Sequence, residues 1–130
     1  MYVRNFQRAL HNRLRQKAIP IQVLIGGRGV GKTTAAQWIY EQWKGKKLWV
    51  NADTDKLHDP DWLMFHVHQA QTLGPQSLLV VDELHRVREW PVVLEAMAEL
   101  IPKVLLLSSV DLRMTPKFQI VNSNLTVAAH

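Results

Sequence analysis

Residues 26–33, GGRGVGKT, set Gly26 and Gly31 in the spacing G-x-x-x-x-G-K-[ST], with Lys32 and Thr33 closing the pattern. Phosphate oxygens need several donors converging on a tight ring. Glycines let the backbone turn its N–H groups inward with no Cβ in the way. Lys32 can reach the β- and γ-phosphates, and Thr33 offers a hydroxyl to Mg²⁺. A helix that follows directly would aim its positive N-terminus at the same anion. The candidate nucleotide-binding residues are therefore Gly26, Gly27, Arg28, Gly29, Val30, Gly31, Lys32, Thr33 and Thr34. A glycine-rich turn that only joins a strand to a helix has the same bare pattern; here a strand-like run precedes it and a helix-like run follows.

A second group is LLVVDELH, residues 78–85, where an apolar run ends in two carboxylates. Such a run reads as a strand buried on both faces. Burying charge is costly, so Asp82 and Glu83 need something to face. If the end of a neighbouring parallel strand lies beside the phosphate loop, at the carboxyl edge of the sheet, the two acids acquire roles. Asp82 would hold the Mg²⁺ shell with Thr33, and Glu83 would polarise a water for in-line attack on the γ-phosphate. Acids opening an ordinary helix would suit its dipole equally well, were there no phosphate loop upstream. A later strand ends LLLSSVD, and a polar residue there would touch the γ-phosphate or the water from the other side. Ser108 is the first candidate and Ser109 the alternative.

The elements needed to position these groups can be read from periodicity. Residues 1–18 space Phe6, Leu10 and Leu14 as an amphipathic helix with arginines around its stripe. IQVLI, KLWVNA, SLLVV and KVLLLS read as strands, and FQIV or NLTVA supplies a fifth. Between them lie helical patterns: one from Lys32 with Gly45 as its C-cap, one opening at Asp59-Pro60 and stopping at Gly74-Pro75, one starting near Pro91. Strands alternating with helices predict an α/β fold, a parallel sheet between helical layers. No linker or internal repeat divides residues 1–130, so one domain is expected.

Composition narrows the class. There is no cysteine, hence no disulfide framework and no thiolate metal site, which fits a cytoplasmic protein. No apolar run approaches the length of a membrane span and the N-terminus has no apolar signal core. The net charge of +5 resides in residues 1–18, where Arg4, Arg8, Arg13, Arg15 and Lys17 stand without an acid. That helix could track nucleic-acid phosphates, or simply present a solvated face above its packed stripe. His66 and His68, two apart on a helix, point away from each other and do not make a zinc site. His85 follows the acid pair and could sense nucleotide state, although a solvated histidine at a helix start is the plainer reading, and the five tryptophans read as packing residues.

Together these residues resemble the AAA+ group of P-loop ATPases, and look most like archaeal and bacterial predicted ATPases whose chains open with a basic helix. That group's pattern runs G-P-R-x-V-G-K-T-T, then DE-[IL]-[QH]-x-V-x-x-W, then a strand ending T-G-S-S. This chain offers GGRGVGKTT, VVDELHRVREW and LLLSSV, and the similarity covers most of residues 1–113. The resemblance implies a three-layer fold with sheet order 5-1-4-3-2, ATP and Mg²⁺ bound by Lys32 and Thr33, metal support from Asp82, Glu83 as base and Ser108 as sensor 1. It also implies a homo-oligomer, since such sites are commonly completed by a neighbouring subunit. Ser109 stands where the group usually has glycine. No helical lid is expected, and Arg113 is the nearest candidate for an arginine finger. The expected function is Mg²⁺-dependent ATP hydrolysis, coupled to DNA or to self-assembly. Alternatives are a regulatory module that binds nucleotide with negligible turnover and a small P-loop kinase. No [NT]-K-x-D stretch supports a GTPase.

Overall fold

An unbroken apolar run is stable as a strand only where both of its faces are covered, and Leu78–Asp82 is buried throughout. The computed structural model describes Arg8, His11, Asn12 and residues 21–25, 32–74, 76–100, 103–109 and 125–129. Five strands stand in chain order: β1 Ile21–Ile25, β2 Lys47–Asn51, β3 Leu78–Asp82, β4 Lys103–Ser108 and β5 Leu125–Ala129. They form one sheet in the order β2-β3-β4-β1-β5, every pairing parallel. Read from the other side, that is the expected 5-1-4-3-2. The strand beside β1 is β4 rather than β3, so the serine strand separates the acid strand from the strand that leads into the phosphate loop. The fifth strand comes from the NLTVA stretch; FQIV lies outside the described residues.

Among the described residues three helices cover the sheet: α1 Lys32–Gln42, α2 Pro60–Gln71 and α3 Trp90–Leu100. Side chains alternate across a strand, and the two faces separate accordingly. Val50, Leu79, Val81, Val104 and Leu106 pack with Leu63 and Val67 of α2 and with Val93, Leu94 and Met97 of α3. Leu24, Leu78, Val80, Leu105 and Leu107 pack with Ala35, Ala36 and Ile39 of α1 on the opposite face. Deleting a fully buried side chain such as Leu94 by Leu94→Ala would cost about 2–5 kcal/mol. The result is a three-layer α/β sandwich, with no helical lid among the described residues.

Local signals explain the helix boundaries. Asp59 is the N-cap of α2 with extended backbone, and Pro60 takes the first helical position, where its missing N–H is no loss. The Asp59 carboxylate makes no capping hydrogen bond; it lies 3.8 Å from Arg88 Nη1 in an exposed pair that contributes little. After α2, Gly74 adopts φ +110, a conformation that favours glycine. Gly45 does not cap α1, which ends at Gln42. Its role is a close approach: a Cβ there would collide with the carbonyl oxygen of Gln76. Helix α3 begins at Trp90, one residue before Pro91. Of the basic N-terminal stretch, Arg8, His11 and Asn12 are helical, and the His11 ring stands edge-on to Trp38 and Trp43 at 5.7 and 6.1 Å. Among the described residues no helix is long and apolar enough to cross a membrane.

Candidate active site at the carboxyl edge of the sheet

In a parallel sheet all strands end on the same edge, so what terminates β2, β3 and β4 is brought together by topology alone. Those residues are Asn51, Asp82 and Ser108. Asn51 pairs with Asp82 across β2 and β3, and the next amide, Ala52 N–H, donates to the Asp82 carbonyl at 2.9 Å. Ser108 pairs with Ile25, the last residue of β1. Strand β1 therefore ends beside Ser108. Gly26 to Gly31 lie outside the described residues, as does Arg113. Lys32, Thr33 and Thr34 form the opening of α1, so a helix does begin where the phosphate-loop pattern ends.

Asp82 and Glu83 are 9% and 5% exposed and Ser108 is fully buried, an unusual concentration of polar groups for a sheet this apolar. Glu83 leaves β3 with φ 58 and ψ 52, the left-handed region that costs a non-glycine residue about 1–2 kcal/mol. Strain of that kind persists only where the surroundings fix it, and here they do. Ser109 Oγ donates to Glu83 Oε2 at 2.7 Å, and His85 Nε2 approaches the same oxygen at 3.4 Å. The other nitrogen of that ring, His85 Nδ1, lies 3.2 Å from Ser108 Oγ. The turn carrying Glu83 is closed by Arg86 N–H donating to the Glu83 carbonyl at 3.0 Å, within the 3₁₀ segment Leu84–Arg86.

A second set of contacts holds that segment from outside. His58 and Val87 form an isolated parallel bridge, with His58 N–H donating to the Arg86 carbonyl at 3.1 Å and Arg88 N–H to the His58 carbonyl at 2.8 Å. Arg86 Nη2 donates to the Thr54 carbonyl at 2.8 Å, and Thr54 Oγ1 lies 2.9 Å from His58 Nε2. The His58 ring stacks on Trp62, with centroids 3.8 Å apart. Burial, then the positive charges of Lys56 and Arg86, hold the His58 imidazole below its ordinary pKa. The stretch after β2 is thereby clipped to the stretch that carries Glu83.

Of the residues singled out by sequence, the structure brings Glu83, Ser108 and Ser109 into one cluster, with Asp82 at the same edge. The solvated reading of His85 is not what is found. The ring is drawn inward to join Glu83 and Ser108, and its side chain is 22% exposed. His66 Nδ1 lies 3.1 Å from Gln69 Oε1. Among the described residues no three His, Cys, Asp or Glu side chains gather into a metal-binding group. Mg²⁺ is usually bound through one or two carboxylates together with substrate phosphates and water, and Asp82 would fit such a carboxylate.

A parallel α/β sandwich whose acids and serines crowd the carboxyl edge, with a helix starting where a phosphate-loop pattern ends, defines the P-loop nucleotide-binding class. The model of the AAA domain matches residues 18–121, and the chain belongs to that family of P-loop ATPases. Among solved structures it is similar to the Thermotoga maritima RuvB Holliday junction branch migration motor, with TM-score 0.65 and 15% identity. A point mutant of that protein gives TM-score 0.63, again at 15% identity. The first match covers 99% of this chain and 44% of the RuvB chain, so the present chain spans less than half the length of its structural relative. At this identity the likeness is one of fold. No curated protein matches the chain.

Proposed function

We propose that this chain hydrolyses ATP at the carboxyl edge of its sheet. Gly26 to Thr34 would cradle the phosphates, with Lys32 neutralising the β- and γ-oxygens. Thr33 and Asp82 would hold Mg²⁺, which when bound supplies charge neutralisation at the phosphates. Glu83 takes a proton from water as the water oxygen attacks the γ-phosphorus in line. The P–O bond to the β-phosphate bridge breaks, and ADP leaves with the electron pair. Ser108 contacts the γ-phosphate or the attacking water.

The observation that carries this reading is Glu83 itself. A buried carboxylate on a left-handed turn, fixed by Ser109, directly follows the strand end at which Asp82 sits. A module that only bound nucleotide would have no use for such a constrained base, and a small kinase would need a lid over its acceptor. The arginines of residues 1–18 make nucleic acid a natural partner, with weak sequence preference and strong salt dependence. The branch-migration motor RuvB, which shares the fold, points the same way, and a second copy of the chain is the other natural partner.

The test is steady-state ATP hydrolysis with Mg²⁺, alone and with single- or double-stranded DNA, alongside Lys32→Ala. Turnover that DNA stimulates and that Lys32→Ala removes is the expected result. Turnover unchanged in Lys32→Ala would place the activity elsewhere.

A further inference from the structure

The contacts of His85 go beyond what the proposed reaction requires. Its two ring nitrogens face two different functional groups: Nε2 is 3.4 Å from Glu83 Oε2, and Nδ1 is 3.2 Å from Ser108 Oγ. A carboxylate oxygen only accepts, so the nitrogen that faces it carries the proton. In a neutral imidazole the other nitrogen then has the lone pair and accepts a hydrogen bond from the Ser108 hydroxyl. Glu83 follows the end of β3 and Ser108 ends β4, and the His85 ring touches both. Ser109, the residue after β4, donates from its Oγ to the same Glu83 oxygen at 2.7 Å.

We propose that His85 is a positioning residue that registers the Glu83 carboxylate against the Ser108 hydroxyl. A phosphoryl oxygen reaching Ser108 competes with His85 Nδ1 for one O–H. The arrival of the γ-phosphate is therefore felt by the ring that holds the base. His85 does not touch substrate; it acts through Glu83 and Ser108. The proposal rests on the roles given to those two residues above.

The experiment compares His85→Ala, His85→Gln and His85→Phe with wild type and with Glu83→Gln, measuring kcat and KM for ATP and the thermal midpoint of each. Misplacing a reacting group by about 1 Å can cost roughly a hundredfold. His85→Ala and His85→Phe should accordingly lose about ten- to a hundredfold in kcat, with KM within about twofold of wild type. His85→Gln should recover most of the loss, because an amide both donates and accepts as the ring does. A side chain that merely filled space would be restored by Phe and not by Gln, and that pattern overturns the proposal. If all three variants match wild type while Glu83→Gln is inactive, the His85 role falls and the Glu83 reading stands. If Glu83→Gln turns over like wild type, the Glu83 reading falls and takes the proposal with it. A readout independent of turnover is the ¹⁵N spectrum of the His85 ring. Ser108→Ala should shift the Nδ1 resonance, and an unmoved resonance contradicts the bridge.

Discussion

The two edges of this sheet treat polar groups in opposite ways. At the amino edge the side chains are tied to backbone. Lys47 Nζ donates to the Tyr40 carbonyl at 2.6 Å and lies 4.7 Å from the centre of the Tyr40 ring. Trp43 Nε1–H donates to the Gln76 carbonyl at 2.9 Å, and Gly45 packs against that same carbonyl. Lys103 starts β4 beside a cavity of about 520 Å³ lined also by His11, Trp43 and Gln76, and burial lowers its pKa from the ordinary 10.5. At the carboxyl edge the side chains of Glu83, His85, Ser108 and Ser109 contact one another. A backbone carbonyl cannot be displaced without unfolding, whereas a hydroxyl or imidazole can change partner when a phosphate arrives. At the amino edge these side chains hold backbone; at the carboxyl edge this cluster of side chains holds itself together.

That contrast can be broken by mutation. The largest effect expected is at the phosphate loop: Lys32→Ala should weaken ATP binding at least about a hundredfold, read by calorimetry, because a charged phosphate contact is lost. Ser108→Ala should leave binding near wild type and lower kcat about tenfold to a hundredfold, as loss of a donor aimed at developing charge does. Equal losses in kcat and binding would instead mean that the cavity left by Ser108 had disturbed the sheet.

The amino edge should respond in the other currency. Gly45→Ala forces a Cβ onto the Gln76 carbonyl, so a loss of about 1–3 kcal/mol in denaturant unfolding is expected. Turnover per folded molecule should not change. A kinetic defect without a stability defect would erase the distinction between the edges.

The smallest effect concerns the clip. His58 has its pKa lowered from 6.5 in the folded chain, so the unfolded chain binds the proton more readily. Stability should therefore rise with pH up to about 6.5 and fall on acidification below it. Urea midpoints at about pH 5 and about pH 8 measure this, and His58→Gln should flatten the difference. A slope of opposite sign would mean that His58 gains an acidic partner on folding.

Much of the scaffold was legible because it depends on short-range pattern. The continuous apolar runs marked β3 and β4, the Asp59-Pro60 pair marked the start of α2, and the alternation of strand and helix marked a parallel sheet. Once the sheet is parallel, Asp82 and Ser108 must share an edge. What was not legible depends on long-range contact or on a single dihedral angle. No periodicity announces that Glu83 turns left-handed. His85 and Ser108 are 23 residues apart, and only the placement of β4 beside β3 brings them together. Gly45 looked like a helix cap because the sequence cannot display the Gln76 carbonyl pressing on it. The glycine at 45 and the histidine at 85 were visible as residues; their neighbours were not.

The proposed role of Glu83 as the base at an ATP site can be checked by comparing ATP binding and single-turnover hydrolysis in wild type and Glu83→Gln. The variant should bind Mg²⁺-ATP as tightly as wild type and hydrolyse it at least about a hundredfold more slowly, the usual scale for a lost general base. Hydrolysis at the wild-type rate by a variant with normal ATP affinity would contradict that role.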